Sequence, residues 1–233
     1  MLNFAKLLKE NQYSVTIIFT HEGPMLDLAR SMGIKCKVIG FNAPFFIGAH
    51  VPFKLKMFAR FLFYLFLDII KTLKIVVKYK PEVIYLNTSV LLSVAIGAKL
   101  CNKNIIWHIR EAPVESNILR KLQIKIINFL SDKKILTSNY IKKYYPPCLN
   151  THVIYNTVDE KQYINMPDTV RVDIRSELNI GLDKIVLVML GNVQDVKGHF
   201  LFAQAAEYII KKFPNVRIII AGKKSDNYYR SSL

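Results

Sequence analysis

The feature that most constrains this chain is an alternation of short apolar, β-branched runs with amphipathic helical stretches, sustained along its length. Residues 15–19, 36–39, 83–86, 105–109, 134–136 and 153–155 read as buried strands. Between them, 2–9, 24–32, 90–101 and 117–130 carry apolar residues at helical spacing, and Ser138 caps a short helix reaching 144. Gly33 closes the second helix. Strands separated by helices imply an α/β fold, a parallel sheet covered on both faces. The rhythm breaks over 156–183, where Pro167 and scattered charges suggest a linker with a short helix. It resumes as a strand (185–190), a helix (200–213) and a strand (216–221). The expected organisation is therefore a domain over 1–156, a linker over 157–183 and the first βαβ unit of a second domain over 184–233. One βαβ unit cannot cover both faces of a parallel sheet, so truncation at the C-terminus is expected.

Composition narrows the partners. Apolar residues make up 52% of the 233, enough for a packed core. Lys+Arg number 33 against 17 Asp+Glu, a formal net charge of +16. Such a balance favours nucleic acid, acidic lipid headgroups or a phosphorylated small molecule. Zinc-finger spacing, an RNP-like aromatic run and arginine-rich tracts are all missing from the sequence, which argues against nucleic acid. Cys36, Cys101 and Cys148 are scattered and odd in number. They suit neither a disulfide framework nor a zinc site, and a reducing, cytoplasmic compartment follows. The N-terminus opens as an amphipathic helix and lacks a signal-peptide pattern. Residues 53–79 form the longest apolar stretch, but Arg60 and Asp68 interrupt it and a span needs about 20 largely uncharged residues. Two readings stand for it: a long helix packed on the sheet, or a helix lying on an anionic membrane surface with its flanking lysines toward the lipid.

Ligands of an open α/β sheet sit beyond the C-terminal strand ends. Those ends carry Thr20-His21-Glu22-Gly23, Asn87-Thr88-Ser89, His108 to Glu111, and Thr137-Ser138. The opposite ends carry lysines and turn residues. Glu22, Gly23, Asn87, Thr88, Glu111 and Ser138 are thus candidate cleft residues. His108 lies within an apolar strand, either as a histidine satisfied in the core or as a titrating group at the strand mouth. Arg110 and Glu111 can pair with each other. His21 and Glu22 are adjacent on an extended segment and point to opposite faces, so they do not form an acid/base couple. The sequence contains no Asp-x-Asp pair for a metal-held diphosphate, no nucleophile elbow, no Walker loop and no Gly-x-Gly-x-x-Gly.

The second domain opens with Gly191-Asn192-Val193-Gln194-Asp195-Val196-Lys197-Gly198-His199, straight after an apolar run and before a helix. Free backbone N–H groups, a helix N-terminus and a lysine meet there, the ingredients of a phosphate cradle. This stretch, together with "EGPMLDLARSMGIKCKVI" (22–39), "PEVIYLNTSVLLSVAIGAKLCNKNIIWHIRE" (81–111) and "VIYNTVDEKQY" (153–163), resembles family 4 glycosyltransferases in order and spacing.

The resemblance implies a GT-B fold, two Rossmann-like domains with a cleft between them. It also implies metal-free, cofactor-free transfer of a sugar from a nucleotide-sugar donor with retained configuration. The acceptor would be a polysaccharide or glycolipid precursor at the cytoplasmic membrane face. By the same resemblance His108 is the cleft histidine, Gly191, Asn192 and Lys197 meet the donor diphosphate, and Asn156 and Asp159 mark the interdomain hinge, with Thr157 where glycine is usual. Asn192 stands where the family often has an arginine. The family's first strand with its Gly-rich loop and its later glutamate pair have no counterpart here, so little or no turnover is expected. The competing reading is a non-catalytic α/β fragment that binds a membrane or partner through 53–79.

Overall fold

The computed structural model describes residues 1–42, 55–112, 118–145, 150–157, 168–193 and 197–223. The chain divides into two compact units, Met1–Thr157 and Val158–Leu233.

Unit 1 begins with α1 (Leu2–Glu10), β1 (Thr16–Phe19), α2 (Pro24–Ser31) and β2 (Lys35–Val38). Proline at the first helical position starts α2 without losing a hydrogen bond. Gly33, at φ 67°, ends it. The Gly33 N–H reaches Arg30 O and the Ile34 N–H reaches Ala29 O, which satisfies the last carbonyls of the helix. The turn then delivers Ile34 into a small core with Leu2, Ala5, Ile17 and Ala29. β1 and β2 run parallel, Thr16 opposite Lys35.

A 25-residue helix, α3 (Leu55–Tyr79), leads to β3 (Val83–Leu86), α4 (Leu92–Leu100), β4 (Asn104–Ile109), α5 (Ile118–Leu130) and β5 (Lys133–Leu136). The unit ends with α6 (Asn139–Lys142) and β6 (Thr151–Val153). These strands make a four-stranded parallel sheet in the order β3-β4-β5-β6. β4 alternates strictly. Ile105, Trp107 and Ile109 are buried, and they pack with Leu92, Ala95 and Ala98 of α4 and Ile127 and Leu130 of α5. His108 and Ile106 turn to the other face, which they share with Tyr85 of β3. There the Phe4 ring of α1 lies 5.4 Å from the Tyr85 ring.

One expectation needs correcting. The strand expected at 153–155 lies at Thr151–Val153, because pairing with β5 begins one register position after the Lys134 N–H meets Asn150 O. The strands of unit 1 form two hydrogen-bonded parallel groups, β1-β2 and β3 to β6. Among the described residues no strand joins the outer edges of β1 and β3. Alternation in sequence specifies strands and crossovers; it does not specify that every edge is paired.

Unit 2 holds α7 (Asp168–Glu177), β7 (Ile185–Leu190), α8 (His199–Lys212) and β8 (Val216–Ala221), with β7 and β8 parallel and Ile185 opposite Val216. The helix read from the sequence inside the linker is α7. Its Arg175 donates to Gly181 O and Lys184 O, which ties the turn before β7 to the helix. The fold is thus α/β with parallel sheets, Rossmann-like in unit 1 and a βαβ unit in unit 2.

Candidate functional site

Asn87, Thr88, His108 and Glu111 gather on the C-terminal rim of β3 and β4. His108 sits at the end of β4, on the face away from Trp107. Its Nδ1 lies 2.6 Å from the Tyr85 hydroxyl. Burial first, then the charges of Arg110 and the chain's N-terminal ammonium, push the His108 pKa down, with Glu111 opposing. The ring is therefore neutral at neutral pH. Its Nε2 is buried and has no hydrogen-bond partner among the described residues. Burial raises the Tyr85 pKa, against the Arg110 charge, so the phenol keeps its proton. A phenol that donates to Nδ1 leaves the imidazole proton on Nε2, ready for an external acceptor. The Asn87 Oδ1, at the end of β3, is likewise buried and unpartnered. Such atoms are uncommon, since buried polar groups are nearly always bonded.

Glu111 organises the rim. It accepts from the Thr88 hydroxyl at 2.7 Å, the Ser89 N–H at 3.1 Å and the Arg110 N–H at 3.3 Å. This clamps the loop after β3 to the end of β4. The Trp107 indole N–H donates to Thr88 O at 2.8 Å, and Gln123 of α5 donates to Ser89 O. The loop holding Asn87, Thr88 and Ser89 is thereby fixed from below. Arg110 does not pair side chain to side chain with Glu111. Its guanidinium donates to Asn156 Oδ1 at 3.5 Å. Asn156, placed at the hinge by the sequence, is thus on the same rim.

Other candidates lie apart or are already engaged. Ser138 accepts the Ile141 N–H and caps α6. Glu22 and Gly23 follow β1, in the other sheet, where Gly23 is the N-cap of α2. His21 bonds the neighbouring Thr20 hydroxyl at 2.9 Å. Asp159 lies outside the described residues. Sequence reasoning missed Tyr85, although its signal was available: it stands on the strand beside β4 and belongs to the face opposite the core.

In unit 2 the turn after β7 is held by backbone. The Gly191 N–H donates to Ala221 O and the Val193 N–H to Lys223 O. Gly191, at φ 146°, and Gly198, at φ 75°, adopt conformations that disfavour any side chain. Gly198 is the N-cap of α8, and Lys197 beside it is exposed. Gly222 was missed too: a Cβ there would overlap Gly191 O, so only glycine lets the ends of β7 and β8 approach. The strand–glycine–lysine–helix order thus places Gly191, Lys197 and the free N–H end of α8 in one compact unit, and Asn192 is exposed beside Gly191.

No protein-family model matches the chain, and no curated protein matches it. Solved structures do. A glycosyltransferase from Rickettsia africae superposes with a TM-score of 0.63 at 15% identity, over 95% of this chain and 63% of that one. MnaA of S. aureus, solved with UDP, gives 0.57 at 15% identity over 97% of this chain and 60% of that one. The UDP-GlcNAc 2-epimerase from Neisseria meningitidis, bound to UDP-GlcNAc, gives 0.57 at 16%, over 97% and 63%. The chain therefore has a GT-B-like fold, and it spans about 60% of the length of these structures.

Proposed function

We propose that this chain serves glycosyl transfer from a nucleotide-sugar donor, with retention of configuration in the manner of family 4, onto a glycan or lipid-linked acceptor at the cytoplasmic membrane face. The observation that carries the reading is the turn of unit 2. Gly191 ends β7, Gly198 caps the N-terminus of α8 and the exposed Lys197 stands beside that cap, in a fold shared with proteins solved holding UDP or UDP-GlcNAc.

The physical fit is to a diphosphate. As the sugar–phosphate bond breaks, negative charge grows on the leaving oxygens. The positive end of α8 and the Lys197 ammonium are the groups we assign to that charge. Asn192 offers no cation, so Lys197 carries a larger share than it would beside an arginine. With no Asp-x-Asp pair in the sequence, the charge falls to these groups, and we propose that binding needs no metal.

On unit 1, the unpartnered Nε2 of neutral His108 and the Asn87 Oδ1 are groups for a sugar or acceptor hydroxyl. A neutral imidazole donor binds a hydroxyl without adding charge. Glu111, already accepting three donors, serves to hold the loop of Thr88 and Ser89.

Calorimetric titration of the purified chain with UDP, then other nucleoside diphosphates, tests the reading. Lys197→Ala should weaken the tightest binder roughly tenfold to a hundredfold, since a hydrogen bond to a charged group is worth about 1.5–3 kcal/mol. Chelator should leave the affinity unchanged. If no nucleoside diphosphate binds, or Lys197→Ala binds equally well, the reading is wrong.

A further inference from the structure

The long helix α3 presents two unlike faces. Its buried line is Asp68, Thr72 and Val76, spaced by one turn. On this line Asp68 accepts the Asn42 N–H and the Lys71 ammonium, and α4 packs against Thr72 through Gly97. At 100° per residue Leu62, Leu73, Phe66, Val77, Ile70 and Phe63 follow in turn beyond Val76, an arc that starts beside the buried line and ends opposite it. Its outward part is exposed, yet it is apolar. Phe63 is 59% exposed, Phe66 62%, Leu62 46% and Val77 69%.

Cations border this arc on one side. Lys74 comes next around the helix, then Arg60 and Lys78, all exposed. Arg60 lies 5.5 Å over the Tyr64 ring, and Lys78 lies 5.7 Å from the Tyr79 ring. Asp68 is the sole acid in α3, and it is on the buried line. The outward surface thus combines large apolar side chains with positive charge and no negative charge. Among the described residues no helix is long and apolar enough to cross a membrane.

We propose that the outer face of α3 docks flat on an anionic lipid bilayer, with Phe63, Phe66 and Val77 in the headgroup–acyl boundary and Arg60, Lys74 and Lys78 at lipid phosphates. An apolar arc bordered by cations on an amphipathic helix is the arrangement that such a surface rewards. Charge argues against a second copy of the chain as the occupant. Pairing two such faces would oppose their cations with no acid between them. The proposal rests on α3 alone and is independent of the nucleotide reading.

The experiment is co-sedimentation with vesicles of phosphatidylcholine alone, and with vesicles containing about one-third phosphatidylglycerol. Binding is expected to the anionic vesicles only. Phe63→Ser/Phe66→Ser should lower it at least tenfold, and Lys74→Glu/Lys78→Glu should do the same. All four side chains are exposed, and circular dichroism should show an intact fold. Trp107, the single tryptophan, is buried. A Phe63→Trp variant should therefore show a new emission that shifts to the blue on anionic vesicles. Failure to bind them overturns the proposal. So does binding that survives the serine pair while the emission of the Phe63→Trp variant stays unmoved, which would mean general adsorption of a basic protein. A dimer in solution that the serine pair dissolves would give the face to a second copy instead. Lys197→Ala should leave vesicle binding unchanged, so this surface and the nucleotide site fail separately.

Discussion

Tyr85 and His108 meet edge to face, their ring centroids 5.9 Å apart, and this contact decides what the histidine can do. With the phenol donating to Nδ1, the imidazole proton resides on Nε2, which has no partner among the described residues. Long-range nitrogen–proton NMR should find the Nε2-protonated tautomer at neutral pH, and Tyr85→Phe should abolish that preference while the fold survives. A wild-type ring protonated on Nδ1 would refute the arrangement. The pH dependence follows from the depressed pKa. Unfolded, this histidine titrates near its ordinary value of about 6.5; folded, it titrates lower. Its stabilising contribution is complete above the ordinary value and is lost as pH falls toward the folded one. His108→Gln should therefore flatten the acid limb of a melting-temperature profile below neutrality, and an unchanged limb would count against a neutral buried ring. The sequence showed a histidine in an apolar strand and left two readings open. What it could not show was the neighbour: Tyr85 is 23 positions away, and only the register of β3 on β4 brings the two together.

At the scale of elements, the α3–α4 contact shows the same division between pattern and packing. Helical spacing made both helices legible, including the 25-residue α3. Their closeness rests on Gly97, where a Cβ would lie 2.7 Å from Thr72 Cβ and 3.2 Å from Ile69 O. Gly97→Ala would ordinarily favour a helix by up to about 1 kcal/mol. Overpacking here opposes it with a cost of about 1–3 kcal/mol, and we expect the melting temperature to fall by several degrees. An equal or higher melting temperature would mean that the helices part without cost. Asp68 makes the complementary point. In sequence it is an interruption of an apolar run. In the structure it is fully buried, joined to Lys71 at 2.9 Å and to the backbone of Asn42, so it anchors the chain after β2 to the helix. A charge count along a helix cannot tell a solvated carboxylate from one that is paired in the interior.

At the scale of the molecule, the alternation of strands and helices was enough to reach an α/β fold with parallel sheets. It could not reveal the break between β1-β2 and β3 to β6, because edges are set by what lies beside a strand in space. It also could not reveal how unevenly the two units are packed. In unit 1, Trp107, Ile105, Ile109, Leu136 and Ile127 are fully or almost fully buried between sheet and helices. In unit 2, Ala206 and Val216 are the buried apolar residues among those described, whereas Val188, Leu190 and Ile220 on its two strands are exposed. A two-stranded sheet with a helix on one side buries too little to hold its backbone closed for long. Amide exchange read by mass spectrometry should therefore rank the strands. Peptides covering β4 and β5 should stay protected roughly a hundredfold longer than those covering β7 and β8, the spread that local opening allows. Saturating nucleoside diphosphate should slow exchange at β7 and the start of α8, because a ligand that binds only the closed form stabilises it by mass action. Equal protection of both units without ligand would show that unit 2 is packed as tightly as unit 1, contrary to its exposed strands.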